Sequence, residues 1–116
     1  MKNKKRILVT GASGFLGSSV LDELLKSDDV GEIIVFDVEK PIQEGDFNFI
    51  QGDITDIKAL KSIKHIDIIY HFAAIANLDD SIEKNDELLQ VNIMGLINVL
   101  NFAQEIGIDK FLYASS

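Results

Sequence analysis

The 116-residue sequence contains no cysteine, which excludes disulfides, thiolate metal sites and cysteine nucleophiles and fits a cytoplasmic protein. Its two histidines, His65 and His71, have no cluster of acids beside them, so no metal centre is expected. There is a single proline and no Pro/Ser-rich tract, internal repeat or low-complexity stretch to mark a linker. One domain over residues 1–116 is therefore expected, with no room for a separate substrate domain. Positive charge is scarce as well, at 11 Lys and Arg against 19 Asp and Glu. The resulting net charge of −8 and pI near 4.5 disfavour nucleic acid and anionic membrane as partners and leave a small molecule. Long apolar runs are absent too. After the basic residues 1–6 comes only Ile7-Leu8-Val9 before Thr10, too short for a signal-peptide core or a membrane span.

What is present is 47% hydrophobic residues, enough for a compact core. Five short runs rich in Ile, Val and Phe read as strands: Ile7 to Thr10, Glu32 to Asp37, Phe47 to Gln51, Ile66 to Phe72, and Lys110 to Ser115. Most do not alternate with polar residues, as expected of a parallel sheet covered on both faces. Helical patterns lie between them, over Gly14 to Lys26, weakly over Ile57 to Ile63, and over Ile82 to Ile106. In the last, Leu89, Ile93, Leu96, Ile97 and Leu100 recur at spacings that predict one buried stripe. Asp80 and Glu83 could form a capping box at its start, and Gly107 suits a left-handed end. The class is α/β, a three-layer Rossmann fold with parallel order 3-2-1-4-5, ending after the fifth strand.

The strongest motif is Gly11-Ala12-Ser13-Gly14-Phe15-Leu16-Gly17, between the first strand and the first helix. There the first glycine permits the tight turn, the second lets the backbone approach a pyrophosphate, and the third lets helix and strand pack closely. The helix N–H groups and dipole would face the phosphates. Asp37 ends the second strand twenty positions beyond Gly17, the spacing of the acid that accepts from the adenosine ribose hydroxyls and repels a 2′-phosphate. NAD is therefore favoured over NADP, with Lys40 close enough in sequence to soften the preference. The simpler alternative is a solvated aspartate at a strand end.

The G-x-x-G-x-x-G spacing resembles the extended short-chain dehydrogenase/reductase superfamily, particularly its NAD-dependent nucleotide-sugar epimerases and dehydratases. The resemblance implies cofactor contacts at Gly11, Ser13, Gly14, Phe15, Leu16 and Gly17. Gly52-Asp53-Ile54-Thr55-Asp56 is similar to the family segment in which Asp53 would accept from the adenine amino group and Ile54 would pack on the ring. Read without the resemblance, Gly52-Asp53 is a turn with a helix cap. His71-Phe72-Ala73-Ala74 resembles a His-Leu-Ala-Ala motif in which Phe72, Ala73 and Ala74 would border the dinucleotide and His71 would be a core histidine. Val91-Asn92-Ile93-Met94-Gly95-Leu96 is similar to an Asn-Val-x-Gly-Thr segment. It implies a hydrogen bond from Asn92 near the cofactor or to adjoining backbone, although Leu96 departs from the threonine. Gly95, unfavourable within a helix, suggests a close backbone or ligand approach.

Phe111-Leu112-Tyr113-Ala114-Ser115-Ser116 resembles the fifth strand of the family, whose second serine, Ser116, would supply the catalytic hydroxyl. The family base is a tyrosine whose pKa is lowered by a lysine four residues later, and no Tyr-x-x-x-Lys occurs in these 116 residues. The first expectation is therefore the NAD-binding portion of a nucleotide-sugar epimerase or dehydratase, inactive alone. A stand-alone NAD-binding regulatory module and a folding fragment without a cofactor role are the alternatives. The fifth strand, at the sheet edge, is expected to self-associate.

Overall fold

A computed structural model of the protein describes residues 4–72 and 82–114, with nothing said of side chains 82–85 and 114. Five strands, β1 (Lys5–Thr10), β2 (Val30–Asp37), β3 (Asn48–Gln51), β4 (Ile68–Phe72) and β5 (Lys110–Ala114), form one sheet. Helix α1 (Phe15–Lys26) joins β1 to β2 and helix α2 (Ile82–Ile106) joins β4 to β5. The order is β3-β2-β1-β4-β5 with every pair parallel, as the strand pattern predicts. From β1 the chain runs one way to β2 and β3, then returns to place β4 on the other side. Thr10 pairs with both Phe36 and His71, so the carboxyl ends of the three central strands are level at this reversal. Open α/β sheets bind ligands at such a point.

The central strands are apolar throughout because both their faces are buried. Leu8, Ile34, Phe36 and Ile69 pack against Val99, Phe102 and Ala103 of α2, while Ile7, Val9, Ile33 and Val35 pack against Leu21 and Leu24 of α1. Adjacent residues such as Leu8 and Val9 are both inaccessible, which a half-solvated sheet would not produce. At the opposite, amino end of the sheet the side chains pair with one another. Arg6 Nε donates to Glu32 Oε1 at 2.7 Å and Arg6 Nη1 to the His65 carbonyl at 2.8 Å, while the Arg6 hydrogen bond holds the Glu32 carboxyl below its ordinary pKa.

Two local expectations meet a different outcome. The pattern over Ile57 to Ile63 yields only a 3-10 turn at Lys58–Leu60, whose Leu60 and the following Ile63 plug the core. The capping pair Asp80 and Glu83 lies outside the residues whose side chains are described. Most telling is the apolar stripe of α2. Leu89, Ile93, Ile97 and Leu100 are 43–50% exposed and Leu96 is half-buried, whereas Gly95, Val99, Phe102 and Ala103 face the sheet. The helix carries two apolar faces, and the one bearing small residues can bring its backbone close to the sheet. Periodicity reports both faces alike. At the helix end Gly107 has φ +71°, and its N–H and that of Ile108 both donate to the Ala103 carbonyl, at 3.0 and 3.3 Å.

Candidate cofactor site

The glycine loop leaves β1 and enters α1 with each of its glycines in a different situation. Gly11 has φ +76°, and a Cβ there would lie 2.5 Å from the Phe72 carbonyl oxygen of β4, so both conformation and space exclude a side chain. A Cβ on Gly17 would lie 2.2 Å from the Gly11 carbonyl oxygen and 2.9 Å from its carbon, which presses the first turn of α1 directly on the loop. Gly14 is different. Among the described residues its Cβ position meets only the Gly11 carbonyl oxygen at 3.6 Å, and its φ of −77° suits any residue, so no described neighbour requires glycine there. Gly14 is also the N-cap of α1 and has no side chain to bond the first-turn N–H groups, which leaves them for an external acceptor. Phe15 and Leu16 on that turn are exposed.

Asp37, at the end of β2, is buried against the same loop. Its Oδ2 accepts from the Ser13 N–H at 2.9 Å and the Ser13 hydroxyl at 2.8 Å, and Oδ1 accepts from the Glu39 N–H at 3.2 Å. Ser13 thus reaches the carboxylate rather than standing apart as an independent ligand group. Next to it, the Gly52 N–H donates to the Asp37 carbonyl at 3.0 Å, and a Cβ on Gly52 would strike the Phe36 ring at 2.4 Å. The chain then turns through Asp53–Asp56. Asp53 Oδ1 accepts from the Thr55 N–H at 3.0 Å and its carbonyl from the Asp56 N–H at 2.8 Å. Turn and loop flank a cleft of about 210 Å³ that brings together Gly11, Asp37, Asp53, Ile54, Phe72 and Asn92. Phe36, Val38, Gly52, Leu88 and Val91 complete its lining and are not singled out as cofactor contacts by any sequence motif. The cleft is smaller than the roughly 300–1,000 Å³ of drug-sized sites and suits one aromatic base rather than a whole dinucleotide.

Asn92 presents a buried amide nitrogen with no hydrogen-bond partner among the described residues, the condition of a donor awaiting an acceptor. His71 is fully buried away from the cleft, with Nδ1 2.5 Å from the Thr10 hydroxyl and its ring stacked 5.7 Å from that of Tyr113. Burial lowers its pKa to about 4, so it is neutral and a weak base. Ala73, Ala74 and Ser116 lie outside the described residues. Among the described residues no group of three or more His, Asp or Glu could hold a metal, and no helix is long and apolar enough to cross a membrane.

A model of the NAD dependent epimerase/dehydratase family matches residues 7–116. The chain belongs to that family. It is 35% identical to dTDP-D-glucose 4,6-dehydratase of Mus musculus over 97% of this chain, but spans 35% of that relative. The structure of the epimerase Mth375 from Methanothermobacter thermautotrophicus superposes with TM-score 0.82 at 30% identity, covering 99% of this chain and 36% of that one. MoeE5, solved in complex with UDP-glucuronic acid and NAD, superposes with TM-score 0.81 at 27% identity over 96% of this chain and 36% of its own. The chain thus spans about a third of the length of the family members it matches.

Proposed function

We propose that residues 1–116 form an incomplete NAD-binding Rossmann domain, the cofactor-holding part of a nucleotide-sugar epimerase or dehydratase. The observation that carries the reading is the Asp37 carboxylate, buried at the switch point and opening on the same cleft as the glycine loop and the Asp53 turn. The cleft lined by Ile54 would take the adenine with Asp53 beside its amino group, Asp37 would accept from the ribose hydroxyls, and the N–H groups at the start of α1 would hold the pyrophosphate. The residues fit this group: the Gly14 Cβ position is open toward the phosphates, and the Asn92 amide supplies an unused donor. NAD brings hydride chemistry at its nicotinamide. The chain's own residues would bind and orient it, and the family resemblance gives Ser116 the role of the catalytic hydroxyl. The role assigned to residues 1–116 is cofactor binding.

Calorimetric titration with NAD and NADP tests this. Wild type should prefer NAD by about tenfold or more, a difference of about 1.4 kcal/mol, because a 2′-phosphate would face the Asp37 carboxylate. Asp37→Asn should narrow the two affinities to near equality. Equal affinities in the wild type would remove the role given to Asp37.

We also propose that the chain self-associates through β5. This strand pairs only with β4 among the described residues, and Leu112 and Tyr113 on it are about half exposed. An unpaired edge beside apolar side chains is a template for another strand. Light scattering over a concentration series should show mass rising with concentration, with weak hydrogen-exchange protection in β5 at the lowest. A strictly monomeric species with strong protection there would refute it.

A further inference from the structure

Within α2 the side chain of Asn98 crosses to a distant segment. Its Nδ2 donates to the Ile54 carbonyl at 2.9 Å, partly buried, from 44 positions away. Asparagine in a helix interior is unfavourable relative to alanine, so this bond offsets a local cost. One turn earlier, Gly95 abuts the same residue. A Cβ there would lie 2.3 Å from Ile54 Cδ1, 2.5 Å from Cγ1 and 3.1 Å from Cβ, so the crowding reaches the root of the side chain.

Ile54 and Ile57 pack on the core, and these contacts add a direct tie between α2 and the turn. Its own bonds, Thr55 N–H to Asp53 Oδ1 and Asp56 N–H to the Asp53 carbonyl, give it shape but do not place it against the sheet. On the β2 side it is held by the Gly52 N–H on the Asp37 carbonyl, and on the α2 side by Asn98 and the Gly95–Ile54 contact. With Oδ1 occupied by Thr55, Oδ2 is the Asp53 oxygen available to a base in the cleft. We infer that Asn98 is a positioning residue that, with Gly95, fixes the Asp53–Ile54 turn from α2 and so sets the selectivity of the cleft for a base bearing an amino group over one bearing a carbonyl oxygen. The inference rests on the NAD reading above. A fixed carboxylate accepts from an exocyclic amino group and repels a carbonyl oxygen at the same place, whereas a turn free to shift discriminates poorly.

The test titrates the 116-residue protein with NAD and with nicotinamide hypoxanthine dinucleotide, which carries a carbonyl oxygen where adenine has its amino group. Asn98→Ala and Gly95→Ala are compared with wild type and with Asn101→Ala, an exposed position on the same helix, and thermal unfolding of each is recorded. Alanine favours the helix at position 98, so the variant keeps its fold. Wild type and Asn101→Ala should prefer NAD by about tenfold, and Asn98→Ala should weaken NAD by roughly five- to tenfold, the worth of one hydrogen bond, while leaving the analogue nearly unchanged. Gly95→Ala should collapse the preference in the same way by displacing Ile54. Equal weakening of both ligands, or an unchanged preference in Asn98→Ala, overturns the inference. If wild type binds neither dinucleotide, the NAD reading itself fails and the inference falls with it, an outcome visible before any variant is made.

Discussion

Gly14→Val should retain the fold and lose NAD, while Gly17→Val should lose a large part of its stability. The two positions are three residues apart in one motif and look interchangeable in sequence, yet their surroundings differ. At Gly14 the Cβ of the new side chain meets no crowding among the described residues, lying 3.6 Å from the Gly11 carbonyl oxygen, and the backbone is already in a region open to valine. What it fills is the space in front of the α1 N–H groups, where the pyrophosphate would sit. NAD affinity should fall by about 100-fold or more, about 2.7 kcal/mol, with little change in the melting temperature. At Gly17 the Cβ position meets the Gly11 carbonyl oxygen at 2.2 Å, the Gly11 carbonyl carbon at 2.9 Å and Ala12 Cα at 3.0 Å. All three are backbone atoms, so no side-chain rotation relieves the clash and α1 must move off the sheet. Overpacking of this kind typically costs about 1–3 kcal/mol and sometimes more, a large part of the stability of a small domain. Chemical denaturation of both variants beside NAD titration checks the contrast. A Gly14→Val protein that binds NAD like wild type would mean that the pyrophosphate lies elsewhere.

The strands and their order were legible because burial on both faces writes itself as unbroken apolar runs, and because a glycine loop after β1 implies the switch point. The residues of the loop and Asp37 were legible for a related reason: their constraints are local or separated by a fixed βαβ distance. The docking face of α2 was not. Its exposed stripe of Leu89, Ile93, Ile97 and Leu100 is as periodic as its buried one, and the close approach of Gly95 to Ile54 together with the packing of Val99, Phe102 and Ala103 on the sheet decides between them. The same geometry hid Asn98, whose partner is a backbone carbonyl with no sequence signature. Phe36 and Gly52 were missed as a pair because the ring-to-glycine contact depends on how β2 and the end of β3 come together in space. Gly95 itself was readable as a close approach, but not the identity of what approaches.

Acidification should destabilise the protein between pH 6.5 and 4 through His71. The imidazole is fully buried beside Thr10, with the rings of Phe111 and Tyr113 packed near it, and burial lowers its pKa from 6.5 to about 4. In the unfolded chain the ring takes up a proton as pH falls through 6.5, whereas in the folded protein it stays neutral until about 4. The unfolded state therefore binds more protons throughout that window. The stability associated with the neutral ring is complete above 6.5, declines as pH drops and levels off below 4. The full difference corresponds to about 3 kcal/mol, on the order of a third of the stability of an ordinary small domain. Paired carboxylates add their own acid sensitivity, so the measurement must be differential. Urea unfolding of wild type and His71→Asn across pH 7.5 to 4.5 supplies it, because asparagine keeps a polar group near Thr10 and does not titrate. Wild type should lose more stability than the variant over this range, and parallel profiles would refute the assignment. The effect should reach the cofactor site as well. His71 precedes Phe72, whose carbonyl and Cβ wall the turn at Gly11, so charging the ring disturbs the strand end on which the glycine loop rests. Because the folded ring takes up its proton only near pH 4, NAD binding by the folded protein should hold through the upper part of that window and weaken in wild type as pH approaches 4, and less in His71→Asn.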